Sequence, residues 1–422
     1  MATKIFLTGA TGYIGGHALY TLVSQHQEYE MTVLLRTIPA DFSEQYPNVN
    51  IVKGDFESAE ILSDAASKAD IVIHNGNSDH EGAVSALLSG LQRRSTPSYY
   101  LHLGGTGIIA DVKTGPYGML NPKVWSDITD IDQLWSMPPG AGHRNTEILI
   151  QQTIADHGDK VKTAVICPPD VYGRGSGPGR KSSFYMPLFW EGIQKLGATY
   201  YTGEGANKRG YVHIDDVMKV YLRLVESAAQ GGKDVDWGLK GYYFTTTQQW
   251  SQLEIARAAG KILTAKGLLK SEEPKRLALD DLTGLLDRVG SPIPSLYLFC
   301  SNARTVAERA PKVLGYQGDA PTLMETLDRE LLTHSNTMSI MQEKFGANIA
   351  IATSGTPYWL LYSMLGGTLW TLDFLLHGMT LGTNLRMSAW QPVTTHFYPK
   401  AVQGNYYGLV AAAKFVNGDG DL

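Results

Sequence analysis

The residues Thr8-Gly9-Ala10-Thr11-Gly12-Tyr13-Ile14-Gly15 follow directly on the apolar run Ile5-Phe6-Leu7 and open a stretch with helical spacing that reaches about Ser24. A strand that turns through glycines straight into a helix leaves the first-turn amides of that helix unbonded and aimed at the turn, which suits an anion. Gly9 permits the tight turn, Gly12 lets backbone approach a bound phosphate, and Gly15 lets helix pack on strand. The spacing therefore points to an open α/β fold, with Gly9, Thr11, Gly12, Tyr13, Ile14 and Gly15 placed against the pyrophosphate of a dinucleotide.

The alternation of short apolar runs with helical stretches continues to about Ile166. The runs are Ile5-Phe6-Leu7, Met31-Thr32-Val33-Leu34-Leu35, Val49-Asn50-Ile51-Val52, Ile71-Val72-Ile73, Tyr99-Tyr100-Leu101 and Thr163-Ala164-Val165-Ile166. Repeated βαβ units predict a doubly wound parallel Rossmann sheet. From about Ser176 the strands thin out, and helical segments near 185–196, 217–229 and 251–263 predict a smaller, mainly helical lid over the strand ends. A chain of 422 residues exceeds one ordinary domain. The expected division is a dinucleotide-binding domain over 1–175, a substrate-binding lid over 176–335 with strands returning to the main sheet, and an apolar C-terminal extension over 336–422.

That extension carries no charged residue from Phe345 through Leu372. Tyr358 to Leu376 is long enough to span a bilayer, yet it contains Ser363, Gly366, Gly367 and Asp373 and follows Pro357. Packing against the body or against a second subunit, as in a homodimer, is favoured over membrane contact.

A formal net charge of -5 and a pI near 6.1 argue against nucleic acid as a partner and leave a small-molecule substrate. The two cysteines, Cys167 and Cys300, sit in apolar runs and read as buried thiols, which fits a reducing compartment. The opening MATKIFLTGA places a strand where a signal peptide needs a basic flank and an apolar stretch, so a cytoplasmic protein is expected. No Asp, Glu, Cys and His cluster has metal-ligand spacing, and the Gly-x-Ser-x-Gly turn of hydrolases is missing.

At the adenosine end, a Rossmann domain selective for NAD carries an acid after its second strand, whereas this chain has Arg36. A guanidinium there suits a 2′-phosphate, so NADP(H) is favoured, with NAD(H) as the alternative. Asp55 follows the third strand, where a carboxylate accepts from the adenine amino group. Asn75 and Gly76 follow the fourth strand beside the ribose.

Taken with Cys167-Pro168-Pro169-Asp170-Val171-Tyr172-Gly173, Tyr211-Val212-His213-Ile214-Asp215-Asp216-Val217 and Leu314-Gly315-Tyr316, the chain resembles the extended short-chain dehydrogenase/reductase superfamily, of the NAD-dependent epimerase/dehydratase type, over about residues 1 to 335. His143-Arg144-Asn145-Thr146-Glu147 ahead of Cys167-Pro168-Pro169 is similar to a fungal branch of it. The resemblance implies that Pro168 and Val171 contribute to the nicotinamide wall. It also implies a catalytic Tyr-x-x-x-Lys pair, in which lysine lowers the tyrosine pKa. That pair is missing. With Glu147 aligned to the acid that follows it, Pro139 stands at the tyrosine and His143 at the lysine, and Gly105 replaces the helper hydroxyl beside Thr106.

The catalytic candidates are then His143, Thr106 and Tyr117, of which imidazole alone exchanges protons near neutrality unaided. Tyr172 and Arg209 are the substrate-side candidates, Arg209 for a carboxylate or phosphate. Asp215 and Asp216 read as caps of the next helix, and Gly173 to Arg180 reads either as a loop that closes over the cofactor or as plain surface. Three functions remain: an NADP(H)-dependent oxidoreductase acting on a small carbonyl or hydroxyl metabolite, a redox-neutral isomerase or cyclase of secondary metabolism, and a non-catalytic dinucleotide-sensing interaction protein.

Overall fold

Seven parallel strands form the central sheet: β1 (Lys4–Thr8), β2 (Glu30–Leu35), β3 (Asn50–Lys53), β4 (Ile71–His74), β5 (Ser98–Leu103), β7 (Val161–Cys167) and β11 (Tyr242–Phe244), in the order β11-β7-β5-β4-β1-β2-β3. This computed structural model describes residues 2–286 and 295–333. The apolar extension, with the membrane and homodimer expectations attached to it, lies outside the described residues. All six runs expected to be strands pair in this sheet, and β11 joins from the later part of the chain beside β7.

Side chains alternate across the strands because the pleat has a period of two. Ile5, Leu7, Ile71, Ile73, Leu101 and Ile166 face one apolar layer with Leu19, Leu22, Val217 and Leu224. Phe6, Val72, Tyr100 and Val165 face the other with Leu62, Leu87 and Ile150. The first layer is closed by α1 (Tyr13–Gln25) and α8 (Ile214–Ala229), the second by α3 (Ala59–Lys68), α4 (Glu81–Gln92) and α6 (Arg144–His157). Helices on both faces explain why the strands read as continuous apolar runs. Two short helices, α2 (Phe42–Gln45) and α5 (Ile131–Trp135), lie in the connections.

A third apolar cluster underlies the later part of the chain. It joins α7 (Tyr185–Leu196) and α9 (Gln252–Ala265) through Phe189, Tyr200, Ile255, Leu263 and Phe299. Three small sheets accompany it: β8 (Asp170–Tyr172), β10 (Lys208–His213) and β12 (Gln248–Ser251); β9 (Tyr200–Thr202) with β13 (Lys275–Leu277); and β6 (Trp125–Ser126) with β14 (Thr305–Val306). Ser251 and Glu254 form a reciprocal capping box on α9. On α8 the cap is a ring nitrogen of His213, which accepts from the Asp215 amide, rather than either expected aspartate. Asp215 and Asp216 occupy the first turn instead, where the helix dipole favours negative charge.

Strand order reverses at β1, whose neighbours β2 and β4 run outward in opposite directions. In such sheets the crevice opens beyond the carboxyl ends of the strands at that switch point, here beyond Thr8 and His74.

Candidate active site

Gly9 has φ +79°, a left-handed conformation that only glycine adopts freely, and a side chain there would run into the Asn75 carbonyl. A side chain on Gly15 would overlap the Gly9 carbonyl, and one on Gly12 would start 3.1 Å from the same oxygen. Gly12 caps α1 without any side-chain acceptor, and the first turn holds no acidic residue. Thr11 is exposed, while Gly12, Tyr13 and Ile14 are half-buried. Open first-turn amides over a backbone cradle that no side chain can fill are what a pyrophosphate needs, so these residues fit the dinucleotide that the fold implies.

The segment Gly173 to Arg180 lies along this loop. Arg180 donates its amide to the Thr11 carbonyl at 3.0 Å. The Ser176 amide donates to His17 Nδ1 at 2.9 Å, and the Tyr13 phenol donates to the Gly173 carbonyl at 2.6 Å. Gly177 and Gly179 pack so tightly on Gly16 and Thr11 that a Cβ on either would collide with backbone.

At the adenosine end, Arg36 stands exposed just past β2, and its charge helps to lower the pKa of Asp55. The Asp55 carboxylate turns back onto the start of α3, accepting from Ser58 Oγ at 2.7 Å and the Glu57 amide at 3.1 Å. The Ser58 hydrogen bond holds its pKa below the ordinary value. Asn75 is buried; its Oδ1 accepts from the Tyr221 phenol and its Nδ2 has no partner. The Phe56 ring occupies the space into which a side chain on Gly76 would project.

Pro139 is exposed in the turn ahead of α6, outside any helix. His143 is the N-cap of that helix, with φ +63°, the one non-glycine positive φ among the described residues. This conformation turns the imidazole toward Ser78 and Asp79, just past β4. Nδ1 lies 2.9 Å from Asp79 Oδ1 and 3.1 Å from Ser78 Oγ. With Nδ1–H donated to the carboxylate, Nε2 carries the lone pair. That atom sits 2.9 Å from where a side chain on Gly105 would begin and 3.2 Å from the same point on Gly107. The hydrogen bond from His143 holds the Asp79 carboxyl below its ordinary range. Ser78 and Asp79 carry no sequence signal of this role, because only the crossing of the β4 loop and α6 brings them to His143.

Thr106 is buried, and its amide donates to the Pro168 carbonyl at 3.1 Å. Val171 pairs with Val212 between β8 and β10. Thr106, His143 and the Pro168 backbone therefore converge around Gly105.

The other side-chain candidates are engaged elsewhere. The Tyr117 phenol donates to Val112 O within its own loop at 2.8 Å rather than reaching into the cleft. The Tyr172 phenol is buried, donating to Pro321 O and accepting from Gln248 Nε2, both at 2.7 Å. Arg209 is 2% exposed and forms a bidentate pair with Asp170 at 2.5 and 3.2 Å, with further bonds to the Tyr297 carbonyl and Ser301 Oγ. A buried pair of this kind makes Arg209 an internal brace; the expected role as receptor for a substrate anion is corrected on that ground.

Two buried titratable groups flank the site. The His74 imidazole, bonded to Thr8 Oγ1 at 2.7 Å and stacked on His102, is pushed down to about 4 by burial. The Glu147 carboxyl, fully buried on α6 and accepting from the Tyr242 phenol at 2.9 Å, is pushed up to about 7. Cys167 and Cys300 are buried free thiols, as expected. Among the described residues no group of side chains has metal-ligand geometry, and no helix is long and apolar enough to cross a membrane.

Comparison with known proteins matches residues 9–101 to an NAD(P)H-binding family and residues 140–238 to the NAD dependent epimerase/dehydratase family. An oxidase, ucsJ, of an Acremonium species is 31% identical over 341 residues, covering 78% of this chain and 96% of that protein. A dTDP-glucose 4,6-dehydratase of Mycobacterium tuberculosis is 21% identical over 306 residues, covering 68% of this chain and 82% of its own. Among solved structures, UDP-glucose 4-epimerase from Thermotoga maritima with UDP-glucose superposes with a TM-score of 0.54 at 16% identity, covering 80% of this chain and 100% of its own. UDP-glucuronic acid 4-epimerase from Bacillus cereus with NAD superposes with a TM-score of 0.53 at 16% identity, covering 79% and 100%. These two likenesses show the fold.

Proposed function

The chain belongs to the extended short-chain dehydrogenase/reductase superfamily, of the NAD-dependent epimerase/dehydratase type, and from that premise we propose that it is an NADP(H)-dependent oxidoreductase acting on a small carbonyl or hydroxyl metabolite. The observation that carries the reading is the His143–Asp79 pair, with Nε2 facing the space over Gly105 and Gly107. In this reading the imidazole exchanges the proton that the missing Tyr-x-x-x-Lys pair handles elsewhere in the superfamily, and Asp79 fixes its tautomer and stabilises its charged form. Thr106 lines the same space.

The backbone from Gly9 to Gly15 would hold the pyrophosphate, Arg36 the 2′-phosphate, and Asp55, Asn75 and Gly76 the adenosine side, with Pro168 and Val171 at the nicotinamide wall. When bound, the nicotinamide supplies or takes a hydride. The substrate would lie between the sheet's carboxyl edge and the later helices. The exposed Arg36 after β2 supports NADP(H) over NAD(H), and the buried free thiols support a reducing, cytoplasmic setting.

A redox-neutral isomerase or cyclase of secondary metabolism is the second reading, favoured by one observation: an exposed proline in a turn, Pro139, stands where a phenol is expected. Titrating the purified protein with NADPH and NADH while following nicotinamide fluorescence, then nicotinamide absorbance against a panel of aldehydes, ketones and alcohols, separates the readings. Binding with turnover that is lost in His143→Ala supports the oxidoreductase. Binding without consumption of any substrate favours the isomerase, and absence of binding defeats both.

A further inference from the structure

Tyr297 was not marked by any motif, yet its phenol reaches the space that His143 faces. It lies in a π-helical turn, Leu296–Cys300, a local geometry that is rare and concentrated at functional sites. The phenol oxygen is 3.7 Å from the point where a side chain on Gly107 would begin, and His143 Nε2 is 3.2 Å from the same point. Gly107 lacks the side chain that would separate imidazole from phenol. Thr106, between Gly105 and Gly107, partly offsets the burial that raises the pKa of the phenol.

The ring is anchored from behind. The Arg209 guanidinium stacks on its face at 4.2 Å from the centroid and donates to the Tyr297 carbonyl at 2.7 Å. Asp170 locks that guanidinium in turn. Tyr297 is thus held at its ring face and its backbone at once. Such fixation costs side-chain entropy and yields a donor that needs no reorganisation when charge develops next to it.

We propose that the Tyr297 phenol is a second catalytic group at this site, donating a hydrogen bond to the substrate oxygen whose proton His143 exchanges. The inference rests on the oxidoreductase reading above. In the reducing direction, a bound reduced nicotinamide would supply a hydride to the carbonyl carbon as the C=O π pair moves onto oxygen. The oxygen then takes the proton of the His143 imidazolium, which solvent restores. The Tyr297 O–H bond stays intact throughout; it stabilises the oxyanion as it forms. Burial raises the phenol pKa, which the Arg209 charge only partly offsets, so the group remains protonated across the neutral range, as a donor must.

The test compares Tyr297→Phe, Thr106→Val and His143→Ala, with fluorine NMR of full-length protein carrying 3-fluorotyrosine in place of Tyr297. Phenylalanine keeps the ring under Arg209, and circular dichroism verifies folding. With any carbonyl that the wild type reduces, Tyr297→Phe is expected to lower kcat about 10- to 100-fold, as loss of one oxyanion donor does. KM, the NADPH dissociation constant and the pH profile should stay in place, whereas His143→Ala flattens the profile. Thr106→Val should give a smaller loss of the same kind. Saturating NADP+ should shift the fluorine resonance.

If NADP+ binds but the resonance does not move, or if Tyr297→Phe turns over like the wild type, the assignment of Tyr297 is overturned while the oxidoreductase reading stands. If neither dinucleotide binds, both fall together. If a dinucleotide binds but no carbonyl in the panel is reduced, the fluorine response alone decides whether Tyr297 borders the nicotinamide.

Discussion

His143 Nδ1 lies 2.9 Å from Asp79 Oδ1, joining the N-cap of α6 to the loop after β4 across 64 positions of sequence. The pair places a carboxylate behind an imidazole whose far nitrogen lies against two glycines. Replacing the ring and replacing the carboxylate should therefore have graded effects. His143→Ala is expected to lower kcat about 100- to 10,000-fold, the span of general acid–base catalysis. Asp79→Asn is expected to lower it by a smaller factor, because the imidazole remains but its charged form loses its counterion. Steady-state kinetics on the best substrate of the carbonyl panel checks both. Equal activity of His143→Ala and wild type would remove the imidazole from the mechanism.

Arg36 governs the choice of dinucleotide if its exposed guanidinium meets a 2′-phosphate. A charge-assisted hydrogen bond of this sort contributes about 1.5–3 kcal/mol, so Arg36→Ala should weaken NADPH binding at least about tenfold. NADH binding should change little, since NADH has no phosphate there. Fluorescence titrations of both dinucleotides against both proteins read the ratio directly, and parallel losses for the two would show that Arg36 does not discriminate.

Glu147 imposes a pH dependence on stability. Its carboxyl is fully buried, accepts one hydrogen bond from Tyr242, and is raised by burial from 4.5 to about 7. A raised acid binds its proton more tightly in the folded than in the unfolded state. Its contribution is therefore fully present below about pH 4.5 and is lost as pH rises through about 7. The full span corresponds to roughly 3 kcal/mol. Glu147→Gln keeps an acceptor for Tyr242 without the titration, so its Tm should fall less than that of the wild type between about pH 5 and 8. Parallel Tm curves for the two proteins would contradict this.

Arg209 and Asp170 form a pair whose disruption should be asymmetric. Arg209→Met strands a buried carboxylate and is expected to cost about 3–5 kcal/mol, while the double variant Arg209→Met with Asp170→Leu should recover most of it. Urea denaturation of the two variants and the wild type measures the difference. A surface role for Arg209 would instead give a change near zero in the single variant.

Sequence periodicity placed six of the seven strands of the sheet. Every expected strand pairs in it, because strands covered by helices on both faces must be apolar along their whole length, as Ile71-Val72-Ile73 and Tyr99-Tyr100-Leu101 are. The phosphate loop was legible for a related reason: its function is carried by backbone, and a side chain at position 9 or 15 would collide with neighbouring backbone. The α7, α8 and α9 helices were placed to within a few residues by their apolar spacing.

What the tertiary structure decided was side-chain partnership. Arg209 and Tyr172 looked available along the chain and are bonded internally, because burial forces a polar group to find a partner and the nearest ones come from distant segments. Asp79 and Tyr297 carry no local pattern; Asp79 meets His143, and Tyr297 approaches Gly107, only through the packing of elements remote in sequence. Backbone requirements such as those of Gly9 are written into residue type, since each excludes other residues at its own position. The meeting of His143 with Asp79 depends on where two remote elements pack, which no single stretch of sequence encodes.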